Sequence, residues 1–132
     1  MSESSTTQAS VGHESPYGRL LGMRIVRVEQ GEAEIHMTMR DDLTNLHGRM
    51  HGGAIFSLID TTLGQASHSL FGGEAGSMTL ECKINYIRPV ESGDLVCVAR
   101  VLNAGRKIHV LEARASQGEK LVATAQATFI TK

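Results

Sequence analysis

The stretch from residue 54 to residue 70 limits the folds open to this chain, because the hydrophobic period changes there. Its apolar side chains recur at steps of three and four residues, which predicts one helix of about five turns. Gly72 and Gly73 are expected to end it. On both sides of the stretch, apolar and polar residues alternate with a period of two, which predicts half-buried strands. A long helix packed on a sheet is therefore expected.

The predicted strands lie before and after this helix. Residues 33–39 alternate, and Gly31 separates them from an apolar stretch at 25–28 that would be their hairpin partner. Four further strands are predicted after the helix, at 78–86, 95–101, 107–115 and 121–129. The breaks between these four contain glycine and are interpreted as hairpin loops, at 91–93, 103–105 and 117–118. The expected architecture is α+β, with one helix against a curved antiparallel sheet that ends in a meander.

The helix carries a second stripe of small and polar residues, at Ser57, Asp60, Thr61, Gly64, Ser67 and His68. An ordinary surface helix would place long Lys and Glu side chains there, and none occurs between residues 54 and 70. This second face is therefore expected to be covered by a partner subunit or by a ligand.

Composition restricts the class of protein. The 132 residues suit one domain, predicted at 16–132 behind a disordered tail at 1–15 that is rich in Ser and Thr. A net charge of −1 argues against a nucleic-acid partner, and no apolar run is long enough to cross a membrane. The N-terminus lacks a secretory pattern, so a cytoplasmic protein is expected. Cys82 and Cys97 are interpreted as reduced core residues without zinc spacing.

The residues that indicate chemistry surround the start of the predicted helix. Gly52 and Gly53 lie where unpaired backbone N–H groups and a partial positive charge would bind a carbonyl oxygen. Asp60 follows about two turns later on the small-polar stripe, where it could activate water or attack as a nucleophile. This combination is typical of acyl transfer.

The run N-x-x-G-x-x-H-G-G-x-x-x-x-x-x-D resembles the motif of the PaaI-like (phenylacetate-degradation-type) hotdog-fold thioesterases. It is formed here by Asn45, Gly48, His51, Gly52, Gly53 and Asp60. The segments Asn85-Tyr86-Ile87-Arg88-Pro89 and Gly105-Arg106-Lys107 resemble later strands of that family. The resemblance covers about residues 17–131. It implies a hotdog fold with about five or six strands, and homodimers that often pair into tetramers. It also implies active sites at the subunit interface, acting on acyl-CoA thioesters.

The resemblance further implies residue roles. Asp60 would be base or nucleophile, the Gly52 amide would hold the thioester carbonyl, and Asn45 would orient water or substrate. His51 would shape the turn, and Thr79, or failing it Ser77, would assist from the next strand. Gly53 would join Gly52 in contacting the substrate.

Each role has a simpler structural alternative. Asp60 could be a solvated surface carboxylate, His51 and Asn45 could merely close turns, and the glycines could serve the turn itself. His36, His47 and His51 match no trusted metal pattern.

Cations for the phosphates of CoA are proposed at Arg88, Arg106 and Lys107, although solvated turn charges would look the same. The acyl end of the pocket is expected to include Phe56, Leu63 and Met78. The expected function is hydrolysis of an acyl- or aryl-CoA to a free acid and CoA, without a metal or redox cofactor. A non-catalytic acyl-CoA sensor is the alternative, and a hotdog dehydratase fits the spacing from His51 to Asp60 less well.

Overall fold

The computed structural model describes residues 14–71 and 76–131. Its elements are α1 Pro16–Leu21, β1 Arg24–Glu29, β2 Glu32–Thr38, a 3₁₀ turn Asp41–Leu43, α2 Gly52–Phe71, β3 Ser77–Tyr86, β4 Asp94–Ala104, β5 Ile108–Gln117 and β6 Lys120–Thr131. The predicted tail lies outside the described residues as far as position 13, as do Gly72 and Gly73. Ser15 caps α1 by accepting a 2.8 Å hydrogen bond from the Gly18 amide. In the described part of the chain, no helix is long and apolar enough to span a bilayer.

The six strands form one antiparallel sheet in the order β1-β2-β4-β5-β6-β3. This confirms the predicted α+β class and the hairpins β1–β2, β4–β5 and β5–β6. The hairpin predicted at Glu91-Ser92-Gly93 is wrong, because β3 pairs with β6 and β4 pairs with β2. A glycine break shows where a strand ends, but long-range packing decides which strand lies beside it. Here the segment that connects β3 to β4 is anchored by Val90, which is fully buried. The Val90 carbonyl accepts a hydrogen bond from the Met50 amide at 2.8 Å.

Helix α2 is the centre of the core and contacts all six strands, so the sheet wraps around it. Leu58, Ile59 and Leu63 on its apolar face are completely buried. Burying each such side chain contributes about 1.5–3 kcal/mol. On β6 the inward positions are small, at Ala123, Ala125 and Ala127. The helix approaches closely there, since a Cβ added at Gly64 would lie 3.6 Å from the Phe129 ring.

Strand β3 contains a β-bulge that period-two alternation did not predict. Thr79 pairs with Phe129 and Glu81 with Thr128, so Leu80 is an extra residue. Thr79 therefore shares the helix-facing side with buried Phe129, and Met78 lies on the outer side opposite Ile130. The expectation that Met78 lines the acyl end of the pocket is wrong, because its side chain is 50% exposed on that outer face.

Candidate active site

His51 caps the start of α2 with its side chain. The Gly53 amide donates to His51 Nδ1 at 2.7 Å, and the Ala54 amide donates to the His51 carbonyl at 2.9 Å. The His51 amide in turn donates to the Leu43 carbonyl at 2.7 Å. Because Nδ1 accepts a hydrogen bond, the ring of neutral His51 carries its proton on Nε2. His51 thus shapes the turn as the N-cap residue of the helix, a position usually taken by Ser, Thr, Asp or Asn.

The cap leaves one backbone N–H of the first turn open. A helix start has four amides without intrahelical partners, here those of His51, Gly52, Gly53 and Ala54. Three of them are engaged as described, and the Gly52 amide makes no hydrogen bond within the described residues. The positive end of the helix dipole adds to this donor, so the position suits a carbonyl oxygen or an oxyanion.

Two hydroxyl groups fix the carbonyls of the glycine pair. Tyr86 Oη donates to the Gly52 carbonyl at 2.9 Å, and Ser57 Oγ donates to the Gly53 carbonyl at 2.8 Å. The Ser57 hydroxyl also lies 2.8 Å from Tyr17 Oη of α1. The turn is therefore held from β3 on one side and from α1 on the other, with the Gly52 N–H left available.

The two glycines differ in what surrounds them. A Cβ at Gly53 would lie 3.0 Å from His51 Nδ1, so the cap itself requires a small residue there. A Cβ at Gly52 would meet only the Tyr86 ring at 3.5 Å, an ordinary contact distance. Neither residue has a positive φ. Nothing within the described chain therefore requires glycine at position 52. Close approach of a ligand to the backbone would explain why glycine occurs there.

Asp60 lies further along α2, half-buried, with one carboxylate oxygen fixed. Thr79 Oγ1 donates to Asp60 Oδ1 at 2.8 Å, while Oδ2 makes no hydrogen bond or ion pair within residues 14–71 and 76–131. The bulge at Leu80 turns Thr79 towards the helix for this contact. Ser77, the other candidate, makes no hydrogen bond to Asp60. A carboxylate with one oriented and one open oxygen can accept a proton or attack an electrophile.

Asn45 closes the loop before the helix. Its Oδ1 accepts the amides of His47 at 2.8 Å and Arg49 at 3.1 Å. The side-chain NH₂ group remains as a donor. This arrangement matches the turn-closing alternative for Asn45 and leaves only its amide nitrogen for water or substrate.

A cavity of about 340 Å³ opens in front of the glycine turn. It is lined by Asn45, Arg49, Met50, Gly52, Ile55, Tyr86, Ile87, Arg88 and Pro89. It thus brings together three predicted site residues, namely Asn45, Gly52 and Arg88, and adds Tyr86, which sequence reasoning missed. Tyr86 belongs to the Asn85–Pro89 motif, so the sequence did contain a signal for it. Ser57, the other hydroxyl that holds the glycine pair, likewise belongs to the small-polar stripe of the helix.

The thiols beside the site are protonated at neutral pH. Burial, with a smaller contribution from the Asp60 carboxylate, raises the pKa of Cys82 to about 11, and burial raises that of Cys97 to about 12. Both cysteines are free, as predicted. Since the thiolate is the reactive form, neither sulfur is a candidate nucleophile. Burial also raises the pKa of the Tyr86 hydroxyl, which keeps it a donor to Gly52.

The predicted cations Arg106 and Lys107 lie at the opposite end of β3 from this cavity. The Thr131 amide donates to the Lys107 carbonyl at 2.9 Å, and Thr131 pairs with Ser77, the first residue of β3. Tyr86 is the last residue of the strand, about 30 Å away at roughly 3.3 Å per residue. Within one chain, the β4–β5 turn and the glycine turn are therefore separate. No group of three or more His, Cys, Asp or Glu side chains among the described residues is arranged to hold a metal ion.

The chain is similar to known proteins in sequence and in fold. The sequence profile of the thioesterase superfamily matches residues 47–124. The acyl-coenzyme A thioesterase PaaI of Escherichia coli is 32% identical over 107 residues, covering 80% of this chain and 74% of that protein. A solved structure of the conserved protein PA5202 from Pseudomonas aeruginosa is 51% identical, with a TM-score of 0.87 over 89% of this chain and 94% of that one. The E. coli PaaI structure also superposes with a TM-score of 0.87, at 25% identity over 98% and 94% of the two chains. The chain belongs to the thioesterase superfamily, among its PaaI-like hotdog-fold enzymes.

Proposed function

We propose that this thioesterase hydrolyses an acyl-CoA or aryl-CoA to the free carboxylic acid and CoA. The observation that carries the proposal is the open Gly52 amide at the start of α2, on the same helix as a carboxylate held by Thr79. The sequence similarity to an acyl-CoA thioesterase supports the choice of substrate class.

In the proposed reaction the Gly52 amide binds the thioester oxygen and stabilises the negative charge that develops on it. Asp60 removes a proton from water as the water attacks the carbonyl carbon, or attacks that carbon itself. In the general-base route the C–S bond breaks when the tetrahedral intermediate collapses, and the CoA thiolate leaves and takes up the proton that Asp60 removed from water. In the nucleophile route the C–S bond breaks as an anhydride forms between Asp60 and the acyl group, and CoA leaves as a thiolate. Water then hydrolyses the anhydride to the free acid and the regenerated Asp60 carboxylate, and the proton released from water passes to the CoA sulfur. An oxyanion donor and a general base typically contribute about 10²–10³-fold and 10²–10⁴-fold to the rate.

The spacing of these groups favours a site shared between two subunits. Asp60 lies eight positions after Gly52, which is about 12 Å along a helix. Reacting atoms must come within about 3–3.5 Å of each other, so a carbonyl held at Gly52 is too far for direct attack by Asp60 of the same chain. Two antiparallel helices related by a two-fold axis would bring Gly52 of one subunit towards Asp60 of the other. This also agrees with the small-polar stripe, which lacks the long charged residues of a solvated face.

Strand β3 offers the edge through which such a dimer would form. Its outer side pairs with no described strand, and exposed apolar residues lie along it, including Met78, Leu80 and Tyr86 at 50–55% exposure. The opposite edge, β1, is protected by charge, as in the 2.9 Å ion pair of Arg27 with Glu32. Long apolar edge strands are templates for pairing with another chain.

Antiparallel pairing of two β3 strands would bring the start of one beside the end of the other. Arg106 and Lys107 of the partner subunit would then approach the cavity near Gly52, where they could bind a phosphate of CoA. An outer-face row formed by Met78, Ile130 and Ile108 would remain available for two dimers to pair. We place the enzyme in the cytoplasm, where free cysteines remain reduced.

The test of the proposed function is an assay of thiol release from a panel of acyl-CoAs, from short and branched to long and aromatic. At least one member of the panel should be hydrolysed with a kcat several orders of magnitude above the uncatalysed rate. Phe56, which precedes Asp60 by one helical turn and is half-buried, predicts that the rate depends on the size of the acyl group, whereas Leu63 is completely buried in the core. Tight binding of acyl-CoA without thiol release from any member would replace hydrolysis with the sensor function.

A further inference from the structure

Tyr86 reaches the start of α2 from the last position of β3. It pairs with Ala123, which is completely buried, so Tyr86 lies on the helix-facing side of the sheet. Its hydroxyl donates to the Gly52 carbonyl at 2.9 Å, across 34 positions of the chain. A Cβ added at Gly52 would lie 3.5 Å from the Tyr86 ring, so the ring borders the side of Gly52 that carries no side chain. Tyr86 therefore contacts the residue that supplies the open amide.

Gly52 combines two features that leave a backbone donor poorly fixed. It is the first residue of α2, and helices fray at their ends. Glycine also has more conformational freedom to lose on folding than any other residue. The direction of the Gly52 N–H therefore depends on contacts that restrain the peptide groups on both sides of this residue.

Hydrogen bonds restrain both of these peptide groups. The one before Gly52 is held by the His51 carbonyl, which accepts the Ala54 amide at 2.9 Å. The one after Gly52 is held at both ends. Its N–H, from Gly53, donates to His51 Nδ1 at 2.7 Å. Its carbonyl accepts the Tyr86 hydroxyl, and because a carbonyl has two lone pairs, this bond adds to the helical pattern and does not replace it.

Ser57 differs from Tyr86, although both hydroxyls bind carbonyls of the glycine pair. Ser57 donates to a carbonyl four positions earlier on the same helix, a local contact that helical serines commonly form. That bond lies within α2 and does not connect it to the sheet. The Tyr86 bond joins the first turn of α2 to β3, so it fixes the turn relative to the cavity wall that Tyr86 helps to form.

We propose that Tyr86 is the positioning residue of the oxyanion donor: its hydroxyl holds the peptide group between Gly52 and Gly53 of the same chain, so that the Gly52 N–H stays directed at the thioester oxygen. Tyr86 acts through the backbone and transfers no proton. The inference rests on the proposed function, since it takes the Gly52 amide as the donor. In a site shared between two subunits, it assigns Tyr86 to the side of Gly52 and not to the side of Asp60.

Tyr86→Phe keeps the ring and removes the hydroxyl. Because one neutral hydrogen bond is lost, kcat for acyl-CoA should fall about 5- to 10-fold, with KM nearly unchanged. A trifluoromethyl ketone analogue of acyl-CoA, whose hydrate resembles the tetrahedral intermediate, should bind more weakly by the same factor. An S-alkyl-CoA, which has no carbonyl, should bind as tightly as to the wild type. A wild-type kcat, or equal weakening of both analogues, would overturn the assignment.

Thr131→Val is the matched control. It removes a hydroxyl that also donates to a backbone carbonyl, that of Gly76, at 3.3 Å. Thr131 pairs with the first residue of β3, so this bond lies about 30 Å from Tyr86. Thr131→Val should retain the wild-type kcat and the wild-type affinity for both analogues.

Hydrogen exchange in the free protein keeps the inference separate from the proposed function. In Tyr86→Phe the Gly53 amide should exchange about 5- to 10-fold faster than in the wild type, because its peptide group is no longer held at the carbonyl. Amides in the middle of α2 should exchange at unchanged rates. Faster exchange at Gly53 would support the positioning contact even if no thioester were hydrolysed, and an unchanged rate there would reject it.

Mixed dimers test whether Tyr86 serves the Gly52 of its own chain. When a Tyr86→Phe subunit pairs with an Asp60→Asn subunit, one shared site loses both groups and the other retains both. Thiol release by an equimolar mixture that has exchanged subunits should exceed the mean of the two parent enzymes about 5-fold. Activity equal to that mean would instead place Tyr86 with Asp60 of its own chain.

The control mixture combines Gly52→Ala with Asp60→Asn and should show a larger gain, because Gly52→Ala alone is expected to be less active than Tyr86→Phe. A gain in this control without one in the Tyr86→Phe mixture would contradict the assignment of Tyr86. No gain in either mixture would reject the shared site, and kcat and analogue binding of Tyr86→Phe would then decide its positioning role.

Discussion

Gly52 and Gly53 are neighbours in the chain, yet the structure gives them different reasons for being glycine. At position 53 a side chain would press on the His51 ring that caps the helix, at 3.0 Å from Nδ1. At position 52 the nearest atoms leave space for a methyl group, and the backbone conformation is open to any residue. We propose that glycine at position 52 leaves space for the substrate, whereas glycine at position 53 leaves space for the His51 ring.

This difference gives a paired prediction. Gly52→Ala should fold with an unchanged or slightly raised Tm, because alanine is the better helix former, but its kcat/KM should fall about 10²-fold as the methyl group obstructs the oxyanion donor. Gly53→Ala should lose about 1 kcal/mol of unfolding free energy, a Tm decrease of about 4 °C, because the cap is displaced. Thermal unfolding and steady-state kinetics on both variants make the comparison. A destabilised Gly52→Ala with wild-type kinetics would assign both glycines to the turn alone.

Asn45 and His51 show where residue-scale prediction reached its limit. The motif identified both, but the interpretation could not separate a ligand contact from a turn contact. In the structure Asn45 Oδ1 and His51 Nδ1 both accept hydrogen bonds from backbone amides. These two atoms therefore stabilise the loop and the helix start that form the site. Their remaining donors, the Asn45 amide nitrogen and the His51 Nε2–H, are the parts left for chemistry.

At the scale of elements, periodicity predicted nearly all of the fold. The change from period two to period 3.6 located α2 within two residues at its start and one at its end, and all six strands were anticipated. Periodicity failed at β3, because a bulge adds a residue without changing local composition. Met78 and Leu80 looked like core residues in the pattern, whereas the structure places Thr79 on the helix side.

The bulge matters for the site because it provides the contact between Thr79 and Asp60. Without the extra residue, the alternation would point Thr79 outward with Glu81. Resemblance to a family suggested Thr79, but its physical reason lies in the pairing register, which no single segment reveals. Pairing of β3 with β6 was missed for the same reason, since it joins residues that are 37 to 54 positions apart in the chain.

At the scale of the whole molecule, the β3 edge, which pairs with no described strand, and the distance from Gly52 to Asp60 both point to a dimer. Light scattering at micromolar concentration should give a multiple of the 14.2 kDa chain mass, twice that mass or four times it. Dilution to the monomer should abolish thiol release, because each site would lose half of its groups. A fully active monomer would refute the shared site.

The central claim is that the Asp60 carboxylate performs hydrolysis while the Gly52 amide holds the thioester oxygen. Asp60→Asn keeps the shape of the side chain and its contact with Thr79 but removes the base. The account predicts a kcat at least about 10²-fold lower, with KM for acyl-CoA nearly unchanged and a Tm equal to or above that of the wild type. The direct measurement is kcat for thiol release by wild type and Asp60→Asn, on the best acyl-CoA of the panel. A near wild-type kcat in a folded Asp60→Asn enzyme would contradict the account.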